Sequence, residues 1–231
     1  FSNSGAESVE AALKLIRKHT KKSGVIATKH AFHGRTFGSL AATWKEKIKE
    51  PFKPMMEGFK HVNYGDADAV DKAIDENTGA VIVEPIQGEA GVFVPDEGYL
   101  KLAYDLCKEA NVLFIADEVQ TGIARTGKLL AVDHENVKPD ILILGKALSG
   151  GAYPVSAVLA NDNIMKVIQP GNHGSTFGGN PVAAAVAMAA LEVVSDERLA
   201  ENAEALGQLF RSELQKYINT SSIASLVRGK G

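Results

Sequence analysis

Asp117 and Lys146 each stand at the end of a short apolar run. Val112-Leu113-Phe114-Ile115-Ala116 leads into Asp117, and Ile141-Leu142-Ile143-Leu144-Gly145 leads into Lys146. Runs this short and apolar, bounded by Gly, Pro and charge, predict buried parallel strands. In an open α/β sheet, ligands bind just beyond the carboxyl ends of such strands. An acid and an amine are therefore presented at the ligand-binding edge. A partly buried lysine able to lose its proton is the group a Schiff base needs. A carboxylate facing it is the partner a pyridinium nitrogen needs. Lys and Asp at strand ends are most often solvated or capping residues; read as a chemical pair, these two suggest pyridoxal 5'-phosphate (PLP) chemistry.

Other segments carry groups suited to the same ligand. Ser4-Gly5-Ala6 opens a helical pattern. It is either a plain N-cap or an anion site, since the first N–H groups of a helix and its dipole favour phosphate or carboxylate. Phe32 lies in a glycine-containing loop after a strand, as a core aromatic or a ring that stacks on a flat cofactor. His33 beside it is a hydrogen-bonding neighbour or a surface residue. Arg35 is either a surface arginine or suited to bidentate capture of a substrate carboxylate. Glu84, Gln87 and Glu89 fall in a polar, glycine-rich loop following another strand, the kind of loop that lines sites. Gln120 follows Asp117 closely enough for its amide to reach a ring hydroxyl, while Thr121, Arg125 and Thr126 read as a turn or a subunit contact. Ser175 and Thr176, in the polar run His173 to Pro181, belong either to a solvated loop or to a segment that offers hydroxyls to a phosphate.

The elements that must position these groups alternate. Helical spacing runs from Glu7 to His19 on Val9, Ala12, Leu13 and Ile16, and Val25 to Thr28 reads as a strand. A short helix reaching about Trp44 follows the Phe32 loop, then a strand at His61 to Tyr64 and a helix over Ala67 to Ile74. Ala80 to Glu84 is a buried strand ended by Pro85. Gly98 to Ala110 is a helix with Tyr99, Leu102, Ala103 and Leu106 on its apolar side. After the strands ending at Asp117 and Lys146 come a strand at Val155 to Ala160, an Ala-rich helix from Pro181 to Val194, and a longer one from Arg198 to about Tyr217. This alternation predicts one α/β domain with a mostly parallel sheet covered on both faces.

The chain has 231 residues, enough for one large core, and a net charge of −3 from 25 basic and 28 acidic residues. No basic stripe suggests nucleic acid, and no apolar run approaches a membrane span. The single cysteine, Cys107, excludes an intramolecular disulfide and reads as a packing residue. No metal is called for. No G-x-G-x-x-G opens a helix after a strand, which disfavours a dinucleotide site. Phe1 to Gly5 reads as a strand end running into a helix, and Arg228 to Gly231 ends on a turn signal. The chain is therefore read as a fragment of a longer protein that also has an N-terminal segment and a small C-terminal domain. The expected compartment is the cytoplasm, with the mitochondrial matrix as the alternative.

Six motifs in order along the chain resemble the class III PLP-dependent aminotransferases: Asn3 to Glu7, Phe32 to Thr36, Glu84 to Glu89, Asp117 to Gly122, Gly145 to Leu148, and His173 to Thr176. Segments such as Glu89 to Val92, Ala124 to Gly127 and Leu148 to Val158 resemble the branch acting on ornithine. The first quarter is closer to the branch acting on acetylornithine. The resemblance implies fold type I, a large domain with a seven-stranded, mostly parallel sheet flanked by helices, and a homodimer with sites at its interface. It implies PLP as cofactor, an amino acid donor and a 2-oxo acid acceptor. By the same resemblance, Lys146 forms the covalent link and shuttles a proton. Asp117 keeps the ring nitrogen protonated, Gln120 bonds the ring hydroxyl and Phe32 stacks on the ring, with His33 beside it. Ser4, Gly5, Ala6 and Ser175 hold the phosphate, and Thr176 reaches the phosphate of the partner subunit's cofactor. Arg35, Glu84 and Glu89 contact substrate, Glu89 as the selectivity residue that pairs with an arginine of the C-terminal domain.

Overall fold

The computed structural model describes residues 1–218 and 220–231. Its centre is a sheet of strands β1 (Gly24–Thr28), β2 (Phe59–Val62), β3 (Thr78–Val83), β4 (Leu113–Asp117), β5 (Ile141–Leu144) and β6 (Ala157–Ala160), in the order β2-β1-β3-β4-β5-β6. All neighbours are parallel except β5 and β6. Among the described residues the sheet has six strands rather than the seven the resemblance implies. The apolar sequence after β6 goes into helices instead.

Side chains on the central strands alternate between two cores, as a period of two requires. Ala80, Ile82, Ile115, Ile141 and Ile143 face helix α1 (Gly5–Thr20), whose Val9, Ala12, Leu13 and Ile16 cover them. Val81, Val83, Phe114 and Ala116 point the other way, against Val70 of α4 (Ala67–Ala73) and Tyr99, Leu100, Ala103 and Cys107 of α5 (Tyr99–Glu109). Burial on both faces explains why these strands read as unbroken apolar runs. Cys107 packs in this core. The buried face of α5 is rotated from the expected one. Leu100 and Cys107 are buried and Leu102 is half exposed, because residues 99, 103 and 107 form the row that lies over the sheet.

The helix after the Phe32 loop, α2 (Phe37–Ala42), stops two residues before Trp44. Trp44 N–H donates instead to Ala31 O, which closes the loop back onto the end of β1. The strand expected at His61 to Tyr64 begins and ends two residues earlier. Ser156, expected inside the last strand, lies just before β6 and pairs with Ser2. Short helices α3 (Glu46–Lys49) and α6 (Asp162–Met165) join the longer α7 (Pro181–Asp196) and α8 (Leu199–Ile218). Ala183 and Ala187 of α7 pack on Leu148, in the turn that follows β5. No helix among the described residues is long and apolar enough to cross a membrane.

The strand order places the site. From β1 the chain moves outward to β2, then returns to the other side of β1 for β3. Connections therefore diverge between β1 and β3, and the loops leaving their carboxyl ends open a crevice there.

Candidate active site

A cavity of about 970 Å³ occupies that carboxyl edge. The loop after β1 brings Phe32, His33 and Arg35 to it. Glu84 arrives from the end of β3, Asp117 and Gln120 from the end of β4, and Lys146 from the turn after β5. The N-terminus of α1, with Ser4, Gly5 and Ala6, forms another wall. Segments far apart in sequence thus converge because parallel strands place all their carboxyl ends on one side of the sheet.

The loop between β1 and α2 turns at Gly34. Its φ is +127°, and a Cβ there would lie 2.5 Å from Ser39 Oγ and 2.7 Å from Ala6 Cβ, so only glycine fits. Two carboxylates hold this loop from beneath. Glu84 Oε2 accepts Phe32 N–H at 2.9 Å, and Asp117 Oδ2 pairs with His33 Nδ1 at 2.7 Å. His33 is a buried residue, which settles its two readings in favour of the hydrogen-bonding neighbour. Burial pulls its pKa down, but the bond to Asp117 and the charges of Asp117 and Glu84 outweigh this and raise it above the usual value.

Glu84 is pushed up to about 7 by burial, and the charge of Asp117 adds to the shift. His33, Phe32 N–H and Lys146 oppose it. The fold therefore holds this proton more tightly than the unfolded chain, where the ordinary value is 4.5. The stabilisation is complete below the unfolded value and is lost as pH rises through 7. Glu84→Gln keeps an oxygen for Phe32 N–H and cannot ionise. Its stability relative to wild type is expected to rise between pH 5 and pH 8, by about 3 kcal/mol at most. Denaturation of both proteins across that range reads the difference. A gap independent of pH would mean that Glu84 ionises freely in the fold.

Asp117 is 5% exposed, and its Oδ1 also accepts Val119 N–H at 3.2 Å. Two acceptors with further lone pairs leave capacity for a ring N–H. Gln120 is half buried on the cavity wall. Its place depends on Gly88, where a Cβ would lie 2.5 Å from Gln120 Oε1. Lys146 is exposed to the cavity rather than partly buried. It opens the 3-10 turn Lys146–Ser149 with φ of +42°, a left-handed conformation that turns the chain out of β5.

Glu118, between Asp117 and Gln120, is buried and does not line the cavity. Its carboxylate accepts Thr121 Oγ1, Ala131 N–H and Val132 N–H at 2.5, 2.9 and 2.9 Å. Thr121 is therefore part of a turn held from within. Glu118→Ala would leave two buried amides without an acceptor, an expected loss of about 3–5 kcal/mol in unfolding free energy, measurable by denaturant titration.

Not every expected residue joins this cavity. Glu89 is exposed and lines a neighbouring cavity of about 380 Å³, which shares Phe32 and Arg35 with the first. Gln87 is buried behind the site, where its Nε2 donates to Thr28 Oγ1 and Lys29 O and ties the loop after β3 to the end of β1. Ser175 and Thr176 are exposed and lie outside the cavity of their own chain. Ser175 Oγ accepts from Asn3 Nδ2 and Gly178 N–H. Val119, Arg125 and Tyr153 line the cavity without having been singled out for it. Val119 was open to detection, since it sits between two residues already placed at a strand end.

Taken as a donor set, the cavity offers unbonded helix-terminal N–H groups, a buried carboxylate backed by an imidazole, and an accessible amine. An aromatic ring and an amide complete the wall. These residues fit a flat, phosphorylated pyridine aldehyde such as PLP.

The profile of the family described as Aminotransferase class-III matches residues 1–231. An ornithine aminotransferase of Plasmodium yoelii yoelii is 53% identical over 238 aligned residues, covering 99% of this chain and 58% of the relative. An acetylornithine aminotransferase of Methanopyrus kandleri is 51% identical over 231 residues, covering 100% and 58%. A solved structure of the ornithine aminotransferase of Toxoplasma gondii, with PLP partly occupying its active site, superposes with a TM-score of 0.96. It has 46% identity and covers 99% of this chain and 57% of that one. The chain thus spans a little over half the length of the relatives it matches.

Proposed function

The chain belongs to the class-III aminotransferases, and on that footing we propose that it is the PLP-binding large domain of an enzyme that moves the δ-amino group of ornithine to 2-oxoglutarate, giving glutamate semialdehyde and glutamate. The observation that carries this reading is the convergence of Lys146, Asp117 and the α1 N-terminus on one cavity. The relatives named above, one with PLP in its site, support the cofactor.

Bound PLP supplies an aldehyde for the amine and a pyridinium that withdraws electrons from the carbon beside it. The rest is done by side chains. Lys146 Nζ holds the cofactor between turnovers. Its amine would also move a proton at the substrate carbon, taking it and later returning one. Asp117 would keep the ring nitrogen protonated, and His33, held at 2.7 Å, keeps that carboxylate in place. Gln120 would bond the ring hydroxyl and Phe32 would cover the ring. The N–H groups of Gly5 and Ala6 would hold the phosphate. Arg35 binds a substrate carboxylate, and Glu89, in the cavity that Arg35 shares, reads the remainder of the substrate. A homodimer belongs to this reading: Thr176, exposed outside its own cavity, is available to the phosphate of the partner subunit's cofactor.

A second reading has acetylornithine as donor, supported by 51% identity to an acetylornithine aminotransferase over the whole chain. The test is a visible spectrum after PLP is added, followed by ornithine without 2-oxoglutarate. A band of lysine-bound PLP that collapses with ornithine is expected. A band that persists with ornithine but collapses with acetylornithine would move the donor to the second reading. No band would overturn the site itself.

A further inference from the structure

Ser156 is wholly buried, and its hydroxyl is used twice. It accepts from Ser8 Oγ at 2.9 Å and donates to Ser4 O at 2.8 Å. Its backbone is held as firmly, because Ser2 N–H donates to Ser156 O and Ser156 N–H to Ser2 O, both at 2.9 Å. Ser8, equally buried, lies in the second turn of α1, and its N–H donates to the same Ser4 carbonyl at 3.1 Å. The Ser4 carbonyl thus has two donors. One is the helix's own and the other comes from a residue 152 positions away.

The carbonyl of Ser4 and the N–H of Gly5 belong to one peptide unit. That unit is planar and trans, so the two groups point in opposite directions. Fixing the carbonyl on Ser156 therefore fixes the Gly5 N–H on the other side, the side on which Ser4, Gly5 and Ala6 line the cavity. As the first residue of α1, Gly5 has no carbonyl within the helix to receive its N–H. The bond from Ser156 Oγ also polarises the peptide and strengthens that N–H as a donor.

We infer that Ser156 is a positioning residue that aims the Gly5 amide at the phosphate of the cofactor, an inference that rests on the phosphate reading of the α1 N-terminus given above. Because the effect is confined to the phosphate, it separates from general loosening of the site by comparing PLP with pyridoxal, which has the same ring and aldehyde without the phosphate.

The experiment measures the dissociation constants of both compounds by absorbance titration of the PLP-free protein, wild type and variants. Ser156→Ala is expected to weaken PLP about tenfold while leaving pyridoxal within about twofold, the size of one charge-assisted hydrogen bond. Ser8→Ala removes only the hydroxyl that donates to Ser156. It should lower the preference for PLP about threefold, and it carries the test if Ser156→Ala does not accumulate as folded protein. Equal losses for the two compounds, or an unchanged preference in both variants, would overturn the positioning role. A wild type that binds PLP no better than pyridoxal would instead overturn the phosphate site, and the inference with it.

Discussion

Lys146→Ala is expected to abolish amino transfer, with kcat falling by about 10⁴-fold or more. The size follows from the two tasks assigned to one amine. In the proposed reaction it would hold the cofactor covalently and move the proton at the reacting carbon. Among the described residues no other lysine lines the main cavity, so no second amine is at hand to replace it. The backbone supports the same weight. Lys146 has φ of +42°, a conformation a non-glycine residue adopts at a cost, and such positions cluster where side-chain placement matters more than local stability. The variant should fold, since the Lys146 side chain is exposed to the cavity. Turnover with ornithine and 2-oxoglutarate measures the loss, and the visible spectrum checks its cause. A variant that still showed the wild-type band after PLP addition would place the covalent link on another residue.

Asp117→Asn is expected to lower kcat about 10³-fold at saturating PLP, with a smaller effect on folding. The substitution keeps shape and an acceptor but removes the charge that favours a protonated ring nitrogen. It should also release His33. Burial is already the largest single influence on the imidazole; with the Asp117 charge gone only Glu84 still opposes it, and the His33 pKa should drop from above to below its usual 6.5. In wild type the raised value means that His33 contributes stability below about 6.5, which is lost as pH rises through its folded value. That pH dependence should reverse in Asp117→Asn. Steady-state kinetics and an NMR titration of the His33 ring give two separate readings. A variant within tenfold of wild-type turnover would remove Asp117 from its assigned role. An unmoved His33 titration would show that Glu84, not Asp117, sets the imidazole.

Much of the fold was legible because its signals are short in range. The run from Val112 to Ala116 and the run from Ile141 to Leu144 are apolar on every residue, since both faces of their strands are covered. Helix α1 shows its buried stripe in the spacing of Val9, Ala12, Leu13 and Ile16, and its cap in Ser4, whose Oγ accepts Glu7 N–H. Helix α7 begins where Asn180 and Pro181 say it should. The boundaries that slipped, at Trp44 and Tyr64, lie where the chain answers to tertiary bonds rather than to its own periodicity.

The sequence by itself determined which groups stand at strand ends, and so which chemistry the chain is equipped for. Only the tertiary structure decided which of them meet. His33 reaches Asp117 across 84 positions, Phe32 N–H reaches Glu84 across 52, and Ser156 reaches Ser4 across 152. It separated Glu89 from the main cavity, placed Ser175 and Thr176 outside it, and exposed Lys146. The physical reason is one of range. Propensity, capping and periodicity act over a few residues. A bond between distant segments depends on strand order and register, which follow from how the whole chain buries its apolar faces.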